Sequence, residues 1–161
     1  MSKKIRLLIV DDEVRFLKTL ASRLELRDFE VSTADNGKRA LELAQLQTFD
    51  LAILDLKMPG LSGEEVLAIL KRDHPFIEVI ILTGHGSISS AVQCTQAGSY
   101  RYLAKPCETD ELLLVLKDAY QQRVERKTDI DRERLEKLME SVQGESPLSI
   151  LRKLREIERG S

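Results

Sequence analysis

The chain has 161 residues, of which 42% are hydrophobic and 32% are charged, and its formal net charge is −2. This size fits one domain with an appendage and a normal hydrophobic core. The near balance of charge gives no global field that favours nucleic acid or an anionic membrane surface. No apolar run approaches the roughly 20 residues of a membrane helix, and no signal-type segment opens the chain. We therefore expect a cytoplasmic protein with no membrane contact, in which Cys94 and Cys107 are free thiols.

Apolar runs and amphipathic segments alternate along the first 120 residues or so, as expected for strands and helices in turn. Strands are predicted over residues 5–10, 29–34, 51–54, 77–82 and 100–104, and helices over about 13–27, 40–46, 66–70, 89–97 and 109–123. Asn36 and Ser62 are predicted helix N-caps. Five alternating strand–helix units predict an α/β domain with a parallel sheet.

Polar side chains stand where the predicted strands end, and they include Asp11, Asp12, Asp55, Thr83 and Lys105. Carboxylates are costly to bury unless they are paired or bind a cation. If the strands are parallel neighbours, three acids converge at one edge of the sheet, where such folds bind their ligands. That arrangement suits a hard divalent cation and one chemically special aspartate.

Four short motifs strengthen this interpretation, in this order and at this spacing. They are Val10-Asp11-Asp12-Glu13, Asp55-Leu56-Lys57-Met58-Pro59-Gly60, Leu82-Thr83-Gly84-His85-Gly86, and Ala97-Gly98 with Tyr102-Leu103-Ala104-Lys105-Pro106. With them, residues 4 to about 123 resemble the receiver domain of bacterial two-component response regulators. The Thr-Gly-His-Gly segment is most similar to receivers that precede enhancer-binding transcriptional activators. The resemblance implies a flavodoxin-like, doubly wound five-stranded parallel sheet, in the strand order 2-1-3-4-5, flanked by five helices.

The resemblance also implies a phosphorylation-dependent signalling switch of a two-component system. Asp55 would accept a phosphoryl group from the phosphohistidine of a sensor histidine kinase or phosphotransfer protein. Mg²⁺ would be held by Asp11, Asp12 and Asp55, with the backbone carbonyl of Lys57 as a further ligand. Lys105 would pair with the acceptor or the phosphoryl group, and Thr83 would donate its hydroxyl to a phosphoryl oxygen.

The resemblance further implies a readout of phosphorylation. Tyr102 would be a switch aromatic that turns inward when Thr83 moves toward the phosphate, and the bond before Pro106 would be cis. Lys57 and His85 would tune the lifetime of the phosphoryl group by controlling water access.

Other interpretations of these residues stay open at this level. Asp12 is equally well explained as a helix N-cap, and Tyr102 as a half-buried core residue. A stand-alone phosphorelay shuttle and a scaffold that merely kept the fold are alternatives. A Mg²⁺-dependent phosphohydrolase is another, but such enzymes usually carry a second acid two residues after the nucleophile, where this chain has Lys57. We therefore expect a switch and not an enzyme.

Residues 124–161 lie outside the receiver pattern, which divides the chain into a receiver domain at 1–123 and a charged helical extension at 124–161. Acidic and basic residues are nearly balanced there, and the apolar residues form two thin stripes. The first stripe contains Leu135, Leu138 and Val142, and the second contains Leu148, Leu151, Leu154 and Ile157. The fifth helix is expected either to run on through this region as a pairing or linker helix, or to give way to a partly ordered solvated extension. A homodimer through the output face or this helix is expected, and direct nucleic-acid binding is not.

Overall fold

The computed structural model describes residues 3–141, 144 and 146–160. The elements are β1 (Ile5–Val10), α1 (Val14–Glu25), β2 (Phe29–Ala34), α2 (Gly37–Leu46), β3 (Leu51–Leu54), α3 (Gly63–Asp73), β4 (Glu78–Thr83), α4 (Ile88–Gln96), β5 (Arg101–Ala104), α5 (Thr109–Ser141) and α6 (Pro147–Arg159). The chain forms two compact units, Met1–Arg123 and Val124–Ser161. Among the residues that the structure describes, none of the helices combines the length and the hydrophobicity of a membrane span.

The first unit is built on a five-stranded sheet in the order β2-β1-β3-β4-β5. All neighbouring strands are parallel, and Val10 pairs with Leu54, which in turn pairs with Ile81. This register brings the carboxyl ends of β1, β3 and β4 to one edge of the sheet. The α/β class, the strand order and the flanking helices are as predicted.

The sheet is buried on both faces, which explains the continuous apolar runs of its central strands. Every residue of β3 and β4 is buried. One face packs against a core cluster that includes Leu67 of α3, and the other against a cluster that includes Leu20 of α1 and Leu116 of α5. The central strands are therefore packed on both faces, and this packing fixes the position of the backbone at their carboxyl ends.

Two of the predicted helix caps are confirmed. The side chain of Asn36 accepts a hydrogen bond from the Arg39 amide at 2.9 Å, and Ser62 accepts one from the Glu65 amide at 3.3 Å. Asp12 does not occupy the N-cap position of α1, because that position falls on Glu13, which makes no side-chain cap bond. The capping interpretation of Asp12 is therefore wrong.

Two strand boundaries differ from the prediction. β4 begins one residue later than predicted and ends at Thr83, because its pairing with β3 starts at Glu78. β5 begins at Arg101 instead of Tyr100. Apolar side chains continue past the hydrogen-bonded ladder at each of these strand starts, so hydrophobicity alone misplaces the boundary.

The fifth helix extends well past the predicted end near residue 123. It is continuous from Thr109 to Ser141, and its role as a pairing or linker helix stays a prediction. Ser146 caps α6 by accepting a hydrogen bond from the Ser149 amide at 3.3 Å. On α6, Leu148 and Leu151 are exposed, whereas the other two residues of the predicted apolar stripe are half-buried. Val142 of the first predicted stripe lies outside the described residues.

Candidate functional site

Three carboxylates meet at the carboxyl edge of the sheet. Asp11 and Asp12 follow β1, Asp55 follows β3, and one ligand oxygen from each lies within 4.8 Å of the others. Asp11 and Asp55 are buried, with 2% and 1% of their surface exposed, whereas Asp12 is exposed. In the part of the chain that the structure describes, this is the one group of three or more such side chains that is arranged to hold a metal ion. Sheet register and parallel topology thus assemble the predicted acidic cluster.

The backbone around Asp55 fixes its carboxylate. The Asp55 amide donates to the carbonyl of Val10 at 3.0 Å, which ties the end of β3 to the end of β1. One carboxylate oxygen, Oδ1, accepts a hydrogen bond from the Leu56 amide at 2.8 Å. A Cβ at Gly63 would overlap the Asp55 carbonyl and the backbone of Leu56, so only glycine lets the start of α3 approach this closely. Asp55 is therefore held by backbone on two sides.

Lys105 reaches the acids from the end of β5. Its Nζ donates to Asp11 Oδ2 at 2.6 Å and lies 3.5 Å from Glu13 Oε1 and 3.9 Å from Asp55 Oδ2. Only 13% of the Lys105 side chain is exposed, so these interactions are weakly screened by water. The peptide bond between Lys105 and Pro106 is cis, as the resemblance implied.

The two partners of the central ion pair have shifted pKa values. Burial raises the pKa of Asp11 above its ordinary value, and the hydrogen bonds from Lys105 and the Glu13 amide only partly offset this. Burial lowers the pKa of Lys105, but the hydrogen bond and charge of Asp11, with the charges of Asp55 and Glu13, outweigh it and raise the pKa overall. Lys105 is therefore held as a cation among acids, which is the state needed to neutralise further negative charge.

Thr83 is the last residue of β4 and is buried, with 1% of its surface exposed. Its hydroxyl oxygen accepts a hydrogen bond from the His85 amide at 3.2 Å, and its carbonyl accepts one from the Lys105 amide at 2.9 Å. The hydroxyl of Thr83 still has its own proton to donate. His85 and Lys57 are both exposed on the loops that follow β4 and β3.

Tyr102 is half-buried on β5, and its hydroxyl lies 2.8 Å from Ser90 Oγ on α4. Ser90 also forms a capping box with Ser87 at the start of that helix. A Cβ on Gly86 would overlap the Tyr102 hydroxyl, so the loop and the ring are in close contact. The tyrosine is thereby connected to the β4–α4 loop and to the first turn of α4.

Three residues around this site were not predicted to matter from the sequence. They are Glu13 and Phe16, which contact the Lys105 ammonium, and Ser90, which contacts Tyr102. Phe16 lies one helical turn after Asp12, and Ser90 lies three residues after Ser87, the N-cap of α4. Both spacings are visible in the sequence, but neither reveals a partner on a distant strand.

The donor set fits a magnesium ion. Mg²⁺ prefers oxygen ligands, is usually bound through one or two carboxylates, and completes its shell with water or phosphate oxygens. The three clustered carboxylates supply such oxygens, and the exposure of Asp12 leaves one side of the cluster open to solvent. Lys57 adjoins this edge, but its carbonyl remains a predicted ligand only.

Comparison with known proteins decides the family. The response regulator receiver domain model matches residues 7–117. The chain belongs to this family. Over 112 residues the chain is 41% identical to the alginate biosynthesis transcriptional regulatory protein AlgB of Pseudomonas aeruginosa. The aligned segment covers 70% of this chain and 25% of AlgB. The chain thus spans about a quarter of the length of that relative.

Solved receiver domains share the fold. A CheY-like receiver from Methanospirillum hungatei is 29% identical with a TM-score of 0.75, over 76% of this chain and 98% of that one. The beryllofluoride-activated NtrC4 receiver domain dimer is 32% identical with a TM-score of 0.70, over 73% of this chain and 98% of that one. These matches confirm the receiver domain and its flavodoxin-like fold. The similarity to AlgB agrees with the expected resemblance to receivers of transcriptional regulators.

Proposed function

We propose that this receiver domain is a phosphorylation-dependent signalling switch that stores a phosphoryl group on Asp55. The observation that carries the proposal is the proximity of a buried carboxylate and a largely shielded ammonium: Asp55 Oδ2 lies 3.9 Å from Lys105 Nζ, beside two further acids. Such a site suits the attachment of an anionic group to Asp55, because the Lys105 ammonium can neutralise the added charge. Membership of the response regulator family supports the same conclusion.

The chemistry that fits this site is transfer of a phosphoryl group from a phosphohistidine of a histidine kinase or phosphotransfer protein. An Asp55 carboxylate oxygen attacks the phosphorus, the new P–O bond forms as the P–N bond breaks, and the electron pair returns to the imidazole. Because Asp55 Oδ1 accepts a hydrogen bond from the Leu56 amide, Asp55 Oδ2 is the oxygen available for attack. Transfer of this kind depends mainly on positioning and charge neutralisation, which the backbone contacts of Asp55 and the Lys105 ammonium provide.

We assign Asp11, Asp12 and Asp55, with the backbone carbonyl of Lys57, as the residues that would hold Mg²⁺. The bound ion supplies positive charge that offsets the repulsion between the acids and the incoming phosphoryl oxygens. The acids themselves contribute a preformed arrangement, since Asp11 is fixed by the Glu13 amide at 2.9 Å and by Lys105.

Thr83 and Tyr102 are the proposed readout. Thr83 would donate its hydroxyl to a phosphoryl oxygen, and the space this leaves would admit the ring of Tyr102. Inward movement of the ring would break its hydrogen bond to Ser90 and so alter the start of α4. The phosphoryl group thus favours one of two states by binding it better.

The central test is labelling of the full chain by a small phosphodonor, acetyl phosphate, with Mg²⁺. Intact-mass analysis should find one added phosphoryl group, and peptide mapping should place it on Asp55. Asp55→Asn should abolish the label, whereas the exposed control Asp118→Asn should keep it. Retention of the label in Asp55→Asn, on another residue, would defeat the assignment.

A second copy of the chain is the proposed partner of the activated state. The solved receiver that is dimeric with beryllofluoride supports this, as do Ile88 and Val92, which are 86% and 50% exposed on α4. Light scattering with and without beryllofluoride and Mg²⁺ should detect a shift from monomer to dimer. A mass that does not change on activation would favour a monomeric phosphorelay shuttle instead.

A further inference from the structure

The Lys105 ammonium has an aromatic neighbour as well as acidic ones. It lies 4.2 Å from the centre of the Phe16 ring and over its face. This contact is on α1, which is remote in sequence from β5, and it adds a fourth group to the three carboxylates around the ammonium. The negative face of an aromatic ring attracts a cation without forming a hydrogen bond.

The ring of Phe16 is held by packing against the hydrophobic core. Phe16 is half-buried and packs against the core cluster formed by α1, the sheet and α5. With Leu20, Leu82 and Leu112 it lines a small cavity of about 60 Å³. The Phe16 side chain thus packs against the core, and the face of its ring contacts the Lys105 ammonium.

The carboxylates alone leave the lysine with competing positions. Its shortest contact, 2.6 Å, is to Asp11, whereas Asp55 is 3.9 Å away and the exposed Glu13 is 3.5 Å away. A flexible ammonium could follow Glu13 toward solvent, where it would be of no use to a phosphoryl group on Asp55. The Phe16 ring adds an attraction that keeps the ammonium within the site.

We propose that Phe16 is a positioning residue for phosphoryl transfer, which acts by holding the Lys105 ammonium beside Asp55. This inference rests on the proposed function of Asp55. A large aliphatic residue at position 16 fills most of the same core space but lacks the ring quadrupole, so comparing its effects with and without Lys105 separates positioning from packing.

The test compares initial rates of Asp55 labelling by acetyl phosphate and Mg²⁺ in the full chain. Phe16→Leu should lower the rate by about two- to fivefold, which is what a partly exposed cation–π contact is worth. Phe16→Tyr, which retains the ring face, should restore the rate. In a Lys105→Met background, Phe16→Leu should have no further effect, because the group it positions is gone.

Two controls keep the outcome decisive. Urea unfolding of each variant identifies any that fail to fold, and Phe16→Met then serves as a second variant without a ring. Where Lys105→Met labels too slowly to measure, beryllofluoride affinity replaces the rate. An unchanged rate in Phe16→Leu, or an equal loss with and without Lys105, would overturn the inference while leaving Asp55 as acceptor. Failure of the unmodified chain to label would instead contradict the proposed function, and this inference with it.

Discussion

The hydroxyl of Tyr102 and the Oγ of Ser90 lie 2.8 Å apart, and this contact joins the fifth strand to the first turn of α4. Ser90 also exchanges hydrogen bonds with Ser87, which caps the helix. Tyr102 is thus hydrogen-bonded to Ser90, which is half of the capping box at the start of α4. Any movement of the tyrosine must therefore change the hydrogen bonding of that helix end.

Ser90→Ala should lower the free energy of unfolding by about 1 kcal/mol, because it removes half of a capping box and the partner of Tyr102. Urea denaturation is the measurement. Ser87→Ala is the matched control: it removes the cap acceptor but leaves the Tyr102 contact. If the tyrosine bond matters to switching, Ser90→Ala but not Ser87→Ala should change the beryllofluoride affinity. Equal affinities in the two variants would mean that the bond is only structural.

Gly86→Ala should displace the Tyr102 ring, because the added Cβ would overlap its hydroxyl. We expect a loss of about 1–2 kcal/mol in unfolding free energy, in the range of a local overpacking defect. Gly84→Ala is the control, since its Cβ would come no closer than 4.0 Å to the Lys105 side chain. Aromatic NMR signals of Tyr102 should move in the first variant and stay in the second. Equal spectra would contradict the contact.

If Mg²⁺ binds the folded acidic cluster as proposed, it should stabilise the chain by relieving the repulsion between Asp11 and Asp55. At ten times its dissociation constant the gain should be about 1.4 kcal/mol, measurable as a rise in melting temperature. Asp12→Asn should remove most of this gain, whereas the exposed control Asp118→Asn should retain it. A similar response to Mg²⁺ in both variants would rule out the proposed ligand set.

The two thiols should differ in reactivity with pH. Burial raises the pKa of Cys107, and the charge of Glu111, whose Oε2 lies 3.8 Å from Sγ, raises it further. A raised pKa keeps the thiol protonated to higher pH, so alkylation by iodoacetamide should reach half its maximal rate above the pH of an ordinary cysteine. Glu111→Gln should move that midpoint to lower pH.

Cys94 provides the internal control for this experiment. It is 1% exposed, and burial raises its pKa as well, so it should stay unmodified in the folded chain and react only in denaturant. Mass spectrometry distinguishes the two peptides. Modification of Cys94 at the same rate as Cys107, or an unmoved midpoint in Glu111→Gln, would contradict these assignments.

Lys57 and His85 lie on the loops that follow β3 and β4, and both side chains are exposed. If they restrict the approach of water to phosphorylated Asp55, replacing both by alanine should shorten the lifetime of the phosphoryl group. Release of inorganic phosphate from the labelled chain gives that lifetime. The same lifetime in the double variant and in the unmodified chain would remove the hypothesis.

Local signals in the sequence predicted most of the strands and helices, whereas the strand order was implied by the resemblance to receivers. The central strands β3 and β4 are buried throughout, β2 alternates between buried and exposed residues, and Asn36 and Ser62 cap helices where short-range hydrogen bonding predicts them. These features depend on residues a few positions apart, which is why pattern and propensity suffice. The one-residue shift of β4 lies beyond such signals, because strand pairing and not hydrophobicity sets where a strand begins.

The sequence also identified the polar residues at the strand ends, but only as candidates. Their distances required the sheet register: Lys105 reaches Asp11 across 94 positions of the chain. The contacts of Phe16 with Lys105 and of Ser90 with Tyr102 were decided by tertiary structure alone, because each depends on how a helix packs against a distant strand. Local periodicity specifies which face of an element is buried, whereas the partner of a side chain on that face is set by the packing of the whole domain.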